Sequence, residues 1–435
     1  MSKATIVMTT FDRDCLLQLG LESIRRYNKD VDILVVNDGK IGNAPIICKQ
    51  YGAEHLFTGQ RNTDEMHWRI PGFALNIGVQ HTQSEIIFLT CAEMWHVTDC
   101  VGPMIKAVEN DPKALAIPEG KDDMNNRYLP NLDDEQRYNE CVKLKTELPF
   151  LMAMRRECFT SIGGYDEDFL GQSYDDDDIV HRLQLSGCHY VLVKEARCVH
   201  LYHPRYCHDK RTAGRLALNK KLFEERKGTI HRNPGKVWGC TLKEYWDEQH
   251  RIHNTKWLAN SAFTSYCKYL GLSEADFKRK TILEIGVGTG NATKSISQLA
   301  SRLDALDISD VALSNVKDVI HTGYNNPSLL PFDTYDMALS FLVVQHMNNE
   351  DLAHQFKNVI AALKKDGVFY IQFADAKGPI KGTIDELSRG GGMIRSSRAM
   401  EKLIYDAGGV VEDLKALPLK GGNVTWYFLT VKKCH

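Results

Sequence analysis

The sequence predicts an α/β protein of two domains, each built around a mostly parallel sheet, because two separate stretches alternate between strand and helix patterns. Residues 4–11 are rich in β-formers, residues 14–27 have helical apolar spacing, and residues 31–39 form a buried strand. Residues 281–290 form a strand that leads into a glycine-rich turn, and a helix and a strand over residues 303–309 follow. Such alternation is typical of βαβ units.

The length of 435 residues also favours more than one domain, since a domain usually has about 100–200 residues. A tract rich in Lys, Arg, His, Asn and Trp separates the two patterns, and Asn233-Pro234-Gly235 marks a turn within it. We therefore expect one domain over residues 1–235 and another over residues 236–435, which begins with a helical segment before its first strand.

Composition excludes several classes of protein. Hydrophobic residues make up 43% and charged residues 25%, as in ordinary globular proteins. The net charge of −2 argues against a nucleic-acid-binding protein, which usually carries a basic excess. No apolar run approaches the roughly 18–20 residues of a membrane span, and no signal peptide is evident. Twelve cysteines without a CxxC pair indicate reduced thiols. We expect a cytoplasmic protein and leave peripheral contact with the inner face of a membrane open.

The glycine-rich turn of the second half predicts a cofactor site. Gly286, Gly288 and Gly290 stand between a strand and a helix, where glycine lets a ligand approach the backbone. Glu284 precedes them, and Asp307 ends the next strand, where an acid accepts hydrogen bonds from ribose hydroxyls. The pattern suits either NAD or S-adenosylmethionine. An acid within the first motif and the absence of the G-x-G-x-x-G spacing favour the methyl donor.

Residues 280–433 resemble the class I S-adenosylmethionine-dependent methyltransferases, which have a Rossmann-like fold. The resemblance implies that the glycine turn holds the methionine and ribose portions of the cofactor. It implies that Glu284 is the acid of the first motif and that Asp307 binds the ribose. It places Asp336 and Ser340 on the fourth strand, whose end faces the donor methyl group, and does not identify the methyl acceptor.

His346 follows this fourth strand. A neutral imidazole there is suited to take a proton from an acceptor hydroxyl, which makes His346 a candidate catalytic residue. The alternative is a histidine at a helix start that packs or faces solvent.

The most informative part of the first half is the acidic stretch GGYDEDFLGQSYDDDDIVHR, which covers residues 163–182. Its last four aspartates, Asp175–Asp178, open an amphipathic helix, where negative charge is stabilising by about 0.3–1 kcal/mol per group. That effect accounts for two aspartates and leaves the run of four unexplained. Mutual repulsion raises carboxyl pKa values, which suits a base or a neighbour of a metal.

This stretch, together with T-F-D-R-D, N-D-G and R-I-P-G-F-A-L-N-I-G upstream, resembles the GT-A glycosyltransferases. Within them it is similar to β-1,4-galactosyltransferase and chondroitin-synthase-like enzymes of the family 2 type. The resemblance implies an inverting transfer in which Asp176 deprotonates the acceptor and Asp175 binds acceptor hydroxyls. A shift of one residue would make Asp177 the base. The residues expected to contact the sugar nucleotide are Thr10, Phe11, Arg13, Asp38, Arg69, Asn76 and Ala92.

The same resemblance implies a Mn²⁺ or Mg²⁺ ion, but the expected Asp-x-Asp motif is Cys91-Ala92-Glu93. Glu93 is still a hard oxygen ligand for such a cation. A later strand offers His200 and His203 as further ligands. On a straight strand their side chains point to opposite faces, so both can bind only if the chain bends after the strand. The alternative is a pair of polar loop histidines.

The sequence thus predicts a bifunctional enzyme. One domain transfers a sugar from a UDP-sugar to a glycan or glycolipid acceptor, and the other methylates an oxygen of the same or a nearby sugar, in cell-surface polysaccharide biosynthesis. Two alternatives stay open. In the first alternative, the first domain only binds glycans, since its Asp-x-Asp motif is altered. In the second, both domains modify nucleic acid, which the net charge disfavours.

Overall fold

The fold is that of a computed structural model with two compact units, Met1–Thr241 and Leu242–His435. The division falls just beyond the turn at Asn233–Gly235. The structure describes residues 3–59, 70–124, 126, 133–144, 147–171, 173–204, 215–235, 238–253, 262–347, 349–376, 395–418 and 424–434. None of the helices in these parts of the chain combines the length and the apolar character that a membrane crossing needs.

The first unit contains a large mixed sheet. Its strands are β1 (Ala4–Thr10), β2 (Asp32–Asn37), β3 (Glu54–Phe57), β4 (Ile86–Cys91), β5 (Met94–His96), β6 (Ala114–Asp122), β7 (Val142–Lys143), β8 (Leu151–Arg155) and β9 (His189–His200). The strands lie in the order β3-β2-β1-β4-β8-β6-β9-β5, with β7 beside β6. Its helices are α1 (Asp14–Tyr27), α2 (Ala44–Gln50), α3 (Pro71–His81), α4 (Val101–Asn110), α5 (Asp134–Glu140), α6 (Arg156–Ser161), α7 (Asp175–Leu185) and α8 (Arg215–Arg226).

Strand β1 is buried on both faces, as expected of a central parallel strand. Ile6 and Met8 share an apolar cluster with Leu17 and Leu21 of α1, whereas Val7 belongs to the cluster on the other face. β1 runs parallel to β2 on one side and to β4 on the other. The order of the strands therefore reverses at β1, and open α/β sheets bind ligands beyond the carboxyl ends of their strands at such a reversal.

The second unit contains a second sheet, in the order β12-β11-β10-β13-β14-β16-β15. Its strands are β10 (Thr281–Ile285), β11 (Arg302–Leu306), β12 (Thr322–Tyr324), β13 (Tyr335–Ser340), β14 (Leu363–Ala376), β15 (Gly409–Pro418) and β16 (Val424–Lys433). Its helices are α9 (Leu242–His253), α10 (Ala262–Leu270), α11 (Glu274–Phe277), α12 (Asn291–Ser297), α13 (Asp310–Val316), α14 (Asn349–Ala362) and α15 (Ser397–Asp406). Short 3₁₀ turns cover Pro327–Leu329 and Val344–His346.

Strands β10 to β14 are parallel, and β16 runs antiparallel between β14 and β15. The order reverses at β10, which lies between β11 and β13. The carboxyl ends of these three strands consequently meet at one edge, and the glycine-rich turn after β10 lies there. The predicted α/β class, with a parallel sheet region in each half, is confirmed.

Candidate active sites

The carboxyl ends of β1 and β2 are tied together by hydrogen bonds. The Thr10 carbonyl accepts a bond from the Asp38 N–H (3.1 Å), and the Asp12 carboxylate accepts one from the Lys40 N–H. At Gly39 a Cβ atom would lie 2.5 Å from the Asp12 carboxylate, so only glycine allows this approach. The T-F-D-R-D and N-D-G segments therefore form one structural unit at the ligand edge of the sheet.

Asp38 is buried, and its carboxylate accepts a 2.6 Å hydrogen bond from the Thr58 hydroxyl, which follows β3. Phe11, directly after β1, is half-buried. The structure thus brings Thr10, Phe11 and Asp38 to one edge, as a sugar-nucleotide site requires. Thr58 is an addition that sequence analysis missed, because no motif marks the short β3. Arg69 lies outside the described residues.

Asn76 takes a different place from the one expected. It is fully buried in α3, where its amide oxygen accepts a bond from the Tyr165 N–H (2.8 Å). Its amide nitrogen donates to the Tyr165 carbonyl (3.0 Å) and to the Glu167 carboxylate (3.1 Å). A Cβ at Gly164 would lie 2.4 Å from the amide oxygen of Asn76. Asn76 therefore anchors the glycine-glycine turn that leads to α7.

Arg13 and Glu93 form an ion pair across the ends of β1 and β4. Only 3% of the Glu93 side chain is exposed, against 20% of Arg13. Ala92, between Cys91 and Glu93, has its side chain in the core and donates its N–H to the Thr9 carbonyl (2.9 Å). The Ala92 side chain is accordingly packed away from solvent, and any donor contact from this residue would have to come from its backbone.

His200 and His203 lie side by side, with ring centroids 5.1 Å apart, because the chain leaves β9 at His200. His200 Nδ1 lies 3.2 Å from an Asp122 carboxylate oxygen. Burial opposes a charge on His200, but hydrogen bonds and charge from Asp122 and Cys91 outweigh it and raise its pKa to about 9.

The metal assignment therefore requires correction. Glu93 is engaged by Arg13, His200 is paired with Asp122, and His203 Nδ1 lies 2.9 Å from the Pro204 carbonyl oxygen. In the described parts of the chain, no three His, Cys, Asp or Glu side chains converge as metal ligands. The described residues do not fit a divalent cation.

The acidic stretch divides into two groups with different partners. Asp178, which is 1% exposed, pairs with Arg182 and Arg232 at 2.7 Å each. Asp166 pairs with Arg226 (2.6 Å) and Arg232 (3.0 Å). These charges form a largely buried network that fastens α7 and the turn that contains Asp166 to the end of α8 and to the segment that follows it. This group is structural, and two of its three arginines, Arg226 and Arg232, lie more than 50 residues from their aspartates in the sequence.

The other group lies at the start of α7 and has no arginine partner in the described structure. The Tyr165 hydroxyl donates a 3.0 Å hydrogen bond to Asp176. Burial raises the pKa of Asp176 to about 6 and, with the charge of Asp176, raises the pKa of Asp175 well above its usual range. Asp177 is exposed. Asp176 is therefore a half-buried carboxyl tuned towards neutral pH, the property expected of a general base.

In the second unit, the glycine turn has left-handed backbone at all three predicted glycines, with φ of 75° at Gly286, 53° at Gly288 and 82° at Gly290. A Cβ at Gly286 would lie 2.1 Å from Val343. At Gly288 the first atom that a Cβ would meet is His250 Cε1, at 3.9 Å, so the space above this glycine is open. The turn exposes its backbone on that side, as a bound ligand would require.

Three polar groups surround this turn. Asp307 accepts hydrogen bonds from the N–H groups of Ser309 (2.9 Å) and Gly288 (3.3 Å), and burial raises its pKa to about 6. Glu284 Oε2 and Ser340 Oγ are buried and have no hydrogen-bond partner within the described structure. Burial raises the pKa of Glu284 to about 8. Leaving such atoms unsatisfied costs about 1–3 kcal/mol each, so the site fits a polar, cationic ligand such as S-adenosylmethionine.

The expectation for Asp336 is wrong. Asp336 is the second residue of β13 and lies beside Thr281, at the start of β10. It accepts hydrogen bonds from the Thr281 N–H (2.8 Å) and from Lys364 (2.9 Å). At about 3.3 Å per residue, it is about 13 Å from Ser340 along the strand. Only the carboxyl ends of parallel strands meet at the cofactor edge, and Asp336 lies at the opposite edge.

His346 lies in the short 3₁₀ turn after β13 and packs edge-on against Trp246 of α9, with ring centroids 4.9 Å apart. Two buried side chains hold this segment. Gln372 accepts a bond from the Leu342 N–H (2.8 Å), and Arg395 donates to the Val344 carbonyl (2.8 Å). The segment that carries His346 is thus fixed at the carboxyl end of β13.

Comparison with known families agrees with this division. Residues 5–163 match the model "Glycosyl transferase family 2", and residues 142–204 match "N-terminal domain of galactosyltransferase". Residues 283–369 match "Methyltransferase domain". The chain is an enzyme with a glycosyltransferase domain and a methyltransferase domain. Both predicted activities are thereby confirmed at this level.

A search of curated proteins gave no match. Among solved structures, the chain is similar to the 1,6-didemethyltoxoflavin-N1-methyltransferase of Burkholderia thailandensis, with 15% identity, a TM-score of 0.36 and coverage of 45% of this chain and 88% of that one. It is also similar to a SAM-dependent methyltransferase of Leishmania major (15%, 0.36, 44% and 81%) and to the magnesium protoporphyrin IX methyltransferase of Synechocystis PCC 6803 (11%, 0.34, 44% and 98%).

Helix α9 contributes more to the methyltransferase domain than a lead-in. The Asp247 carboxylate accepts hydrogen bonds from the Ser309 hydroxyl (2.6 Å) and the Val311 N–H (3.1 Å). These bonds fasten α9 beside Asp307, with Trp246 and His250 on its inner side. The signal was present in the sequence, because these three side chains are spaced for one side of a helix.

Proposed function

We propose that the glycosyltransferase domain transfers a sugar from UDP to a hydroxyl of a glycan or glycolipid, with inversion at the anomeric carbon. The observation that carries this is the state of Asp176. It is held by Tyr165, has a pKa raised to about 6, and stands apart from the arginines that neutralise Asp166 and Asp178. A base on the face opposite the leaving group must take the acceptor proton, and Asp176 is suited to that role.

The other predicted groups complete this proposal. Asp175 lies next to the base and would bind acceptor hydroxyls. Asp38, at the carboxyl edge of the sheet, would bind the nucleoside, and Arg13 would face the diphosphate. The similarity of residues 142–204 to a galactosyltransferase model supports the β-1,4-galactosyltransferase-like subtype.

For the methyltransferase domain, we propose O-methylation of the same or a nearby sugar with S-adenosylmethionine. The cofactor supplies an electrophilic methyl group when bound. Glu284, the glycine turn, Asp307 and Ser340 would hold it, and the unpartnered Glu284 and Ser340 oxygens support this assignment. His346 would take the proton of the acceptor hydroxyl. Its partner Trp246 offers an aromatic ring beside that position.

The setting that we propose is the assembly of a cell-surface polysaccharide in the cytoplasm, at the inner face of a membrane. Pairing of a sugar transferase with a methyltransferase in one chain supports it. Methylation of the sugar just added would decorate or terminate a growing glycan.

A donor screen tests both halves. The full chain is incubated with a panel of sugar nucleotides, glycan acceptors and S-adenosylmethionine, and mass spectrometry records glycosyl and methyl additions separately. We expect the methyl group on a product that also carries the transferred sugar. The absence of transfer and hydrolysis with every donor would favour the glycan-binding module instead, and methylation of nucleic acid in place of glycan would contradict the acceptor class.

A further inference from the structure

The carboxyl edge of the glycosyltransferase domain's sheet contains a guanidinium that a buried carboxylate holds in place. Arg13 follows β1 and precedes α1, and Glu93 follows β4, the parallel neighbour of β1. Both side chains therefore lie at the carboxyl edge of the sheet, where they form an ion pair. Glu93 is almost fully buried, whereas one fifth of the Arg13 side chain is exposed to solvent.

The ion pair with Arg13 engages Glu93, the carboxylate that a metal ion would need as a ligand. Glu93 is what remains of the expected Asp-x-Asp motif, since Cys91 stands in place of the first aspartate. His200 is bonded to Asp122, and His203 lies against the Pro204 carbonyl. In the portion of the chain with described coordinates, these side chains do not converge into a set of metal ligands.

We infer that Arg13 supplies the positive charge that the donor diphosphate requires, so that this domain transfers sugar without a divalent cation. The inference rests on the proposed function of the same site. A guanidinium presents several N–H donors in a planar fork that matches phosphate oxygens, and it stays charged at any working pH. Glu93 is then a positioning residue, which holds the guanidinium at the edge before the donor binds.

The reaction balances without a further reactant. The bond between the anomeric carbon and the β-phosphate oxygen breaks, and its electron pair stays on the leaving diphosphate, beside Arg13. A bond forms between the anomeric carbon and the acceptor oxygen, whose proton passes to Asp176. No group is oxidised or reduced.

Nucleotide binding tests the inference independently of turnover. Binding of UDP to the full chain is measured by calorimetry in excess EDTA and in excess Mn²⁺, and we expect the same Kd in both. Arg13→Ala should weaken UDP binding by about 10- to 100-fold, the range that corresponds to loss of a charge-assisted hydrogen bond. Arg13→Lys keeps the charge but loses the planar fork of N–H donors, so its affinity for UDP should lie between that of the parent and that of Arg13→Ala. Arg26→Ala is the matched control, because Arg26 lies at the opposite end of α1 and pairs with Asp134. This variant should bind UDP as tightly as the parent protein does.

Glu93→Gln separates the two roles of the acid. A positioning residue that is replaced by a neutral isostere should leave UDP binding measurable in EDTA, and Mn²⁺ should still add nothing. Thermal unfolding of each variant identifies one that fails to fold, in which case the comparison of EDTA with Mn²⁺ on the parent protein remains decisive.

Two results would overturn the inference. UDP binding that requires Mn²⁺ and is lost in Glu93→Gln makes Glu93 a metal ligand, and leaves the proposed donor site intact. Binding of no nucleoside diphosphate in either condition removes the proposed function itself and the inference with it.

Discussion

Two sets of buried carboxylates, one in each domain, have opposite surroundings. In the glycosyltransferase domain, Asp166 and Asp178 are about 1% exposed, and each has two arginine partners. In the methyltransferase domain, Glu284 is 5% exposed and has an unpartnered oxygen. Burial therefore does not by itself mark a functional acid. A buried acid that other side chains neutralise holds the fold, and one left without a cation is suited to bind a charged ligand or a proton.

Asp176 lies between these two cases. It follows Asp175 directly and precedes Asp178 by two residues, yet its described side-chain partner is the neutral Tyr165. The same acidic run thus contains both kinds of carboxylate. The contrast makes definite predictions, because substitution of each kind should damage a different property.

The largest effect should come from Asp176→Asn. Loss of a general base slows a reaction by about 10²–10⁴-fold, so sugar transfer should fall by that factor. Methyl transfer to a preformed acceptor should be unchanged. The measurement is the rate of each reaction, read separately. Asp177→Asn is the matched control, because Asp177 is exposed, and a larger loss there would move the base by one residue.

The raised pKa of Asp176 also predicts how sugar transfer by the parent protein depends on pH. Burial raises the pKa of Asp176 to about 6, so the carboxyl is ionised above that pH and protonated below it. Sugar transfer should accordingly fall as the pH drops through about 6. The check is the pH profile of kcat/KM. An unperturbed Asp has a pKa of about 3.9 and would give a flat profile between pH 5 and pH 7. A flat profile in this range would therefore contradict the assignment.

Next in size is a stability effect with little direct chemistry. Asp178→Asn removes the carboxylate that pairs with the buried Arg182, whereas Arg232 keeps Asp166 as a partner. Breaking a buried ion pair costs about 3–5 kcal/mol. We expect the urea midpoint of the glycosyltransferase domain to fall accordingly. Glu225→Gln is the control, since its pair with Lys221 is exposed and such pairs contribute about 0–1 kcal/mol. Equal losses in the two variants would show that the network is not the scaffold described here.

A smaller effect concerns Glu284. Burial raises its pKa to about 8, so in the free enzyme it is mostly protonated below that pH. Binding of the cationic cofactor favours the ionised form, and affinity for S-adenosylmethionine should therefore rise with pH up to about 8 and then level off. Calorimetry across this range measures it. Glu284→Gln should bind weakly and without that dependence, whereas a Glu284→Gln protein with the parent's pH profile would assign the titration to another group.

The sequence predicts the local features of this molecule and misses the contacts between distant residues. Strand and helix patterns identified both sheets, and the glycine turn located the cofactor edge, because these signals are local. Two arginine partners of the acidic run are not local: Arg226 meets Asp166 across 60 residues, and Arg232 meets Asp178 across 54 residues. Arg13 and Glu93 meet only because β1 and β4 are neighbours in the sheet. Sequence spacing does not report such contacts.

Asp336 shows a different failure. Polar residues, among them Asp333 and Thr334, alternate with apolar ones just before it, so the sequence did not indicate where β13 begins. A strand has a direction, and an acid at its start lies at the edge away from the ligand. The alternation of the residues alone does not show which end an acid occupies.

The smallest expected effect comes from comparing substitutions of Asp307 and Asp336, which lie at opposite edges of the second sheet. Asp307→Asn should weaken S-adenosylmethionine binding by about 10-fold or more, because Asp307 accepts a hydrogen bond from the Gly288 N–H and, in the proposed site, would bind the ribose. Asp336→Asn should leave the affinity unchanged. Its half-exposed pair with Lys364 contributes only about 0–1 kcal/mol to stability, and the asparagine oxygen still accepts a bond from Thr281. Calorimetric titration of the two variants beside the parent makes the comparison. A loss of affinity in Asp336→Asn equal to that in Asp307→Asn would mean that the cofactor does not lie at the carboxyl edge of β10, since the two aspartates are at opposite ends of the sheet.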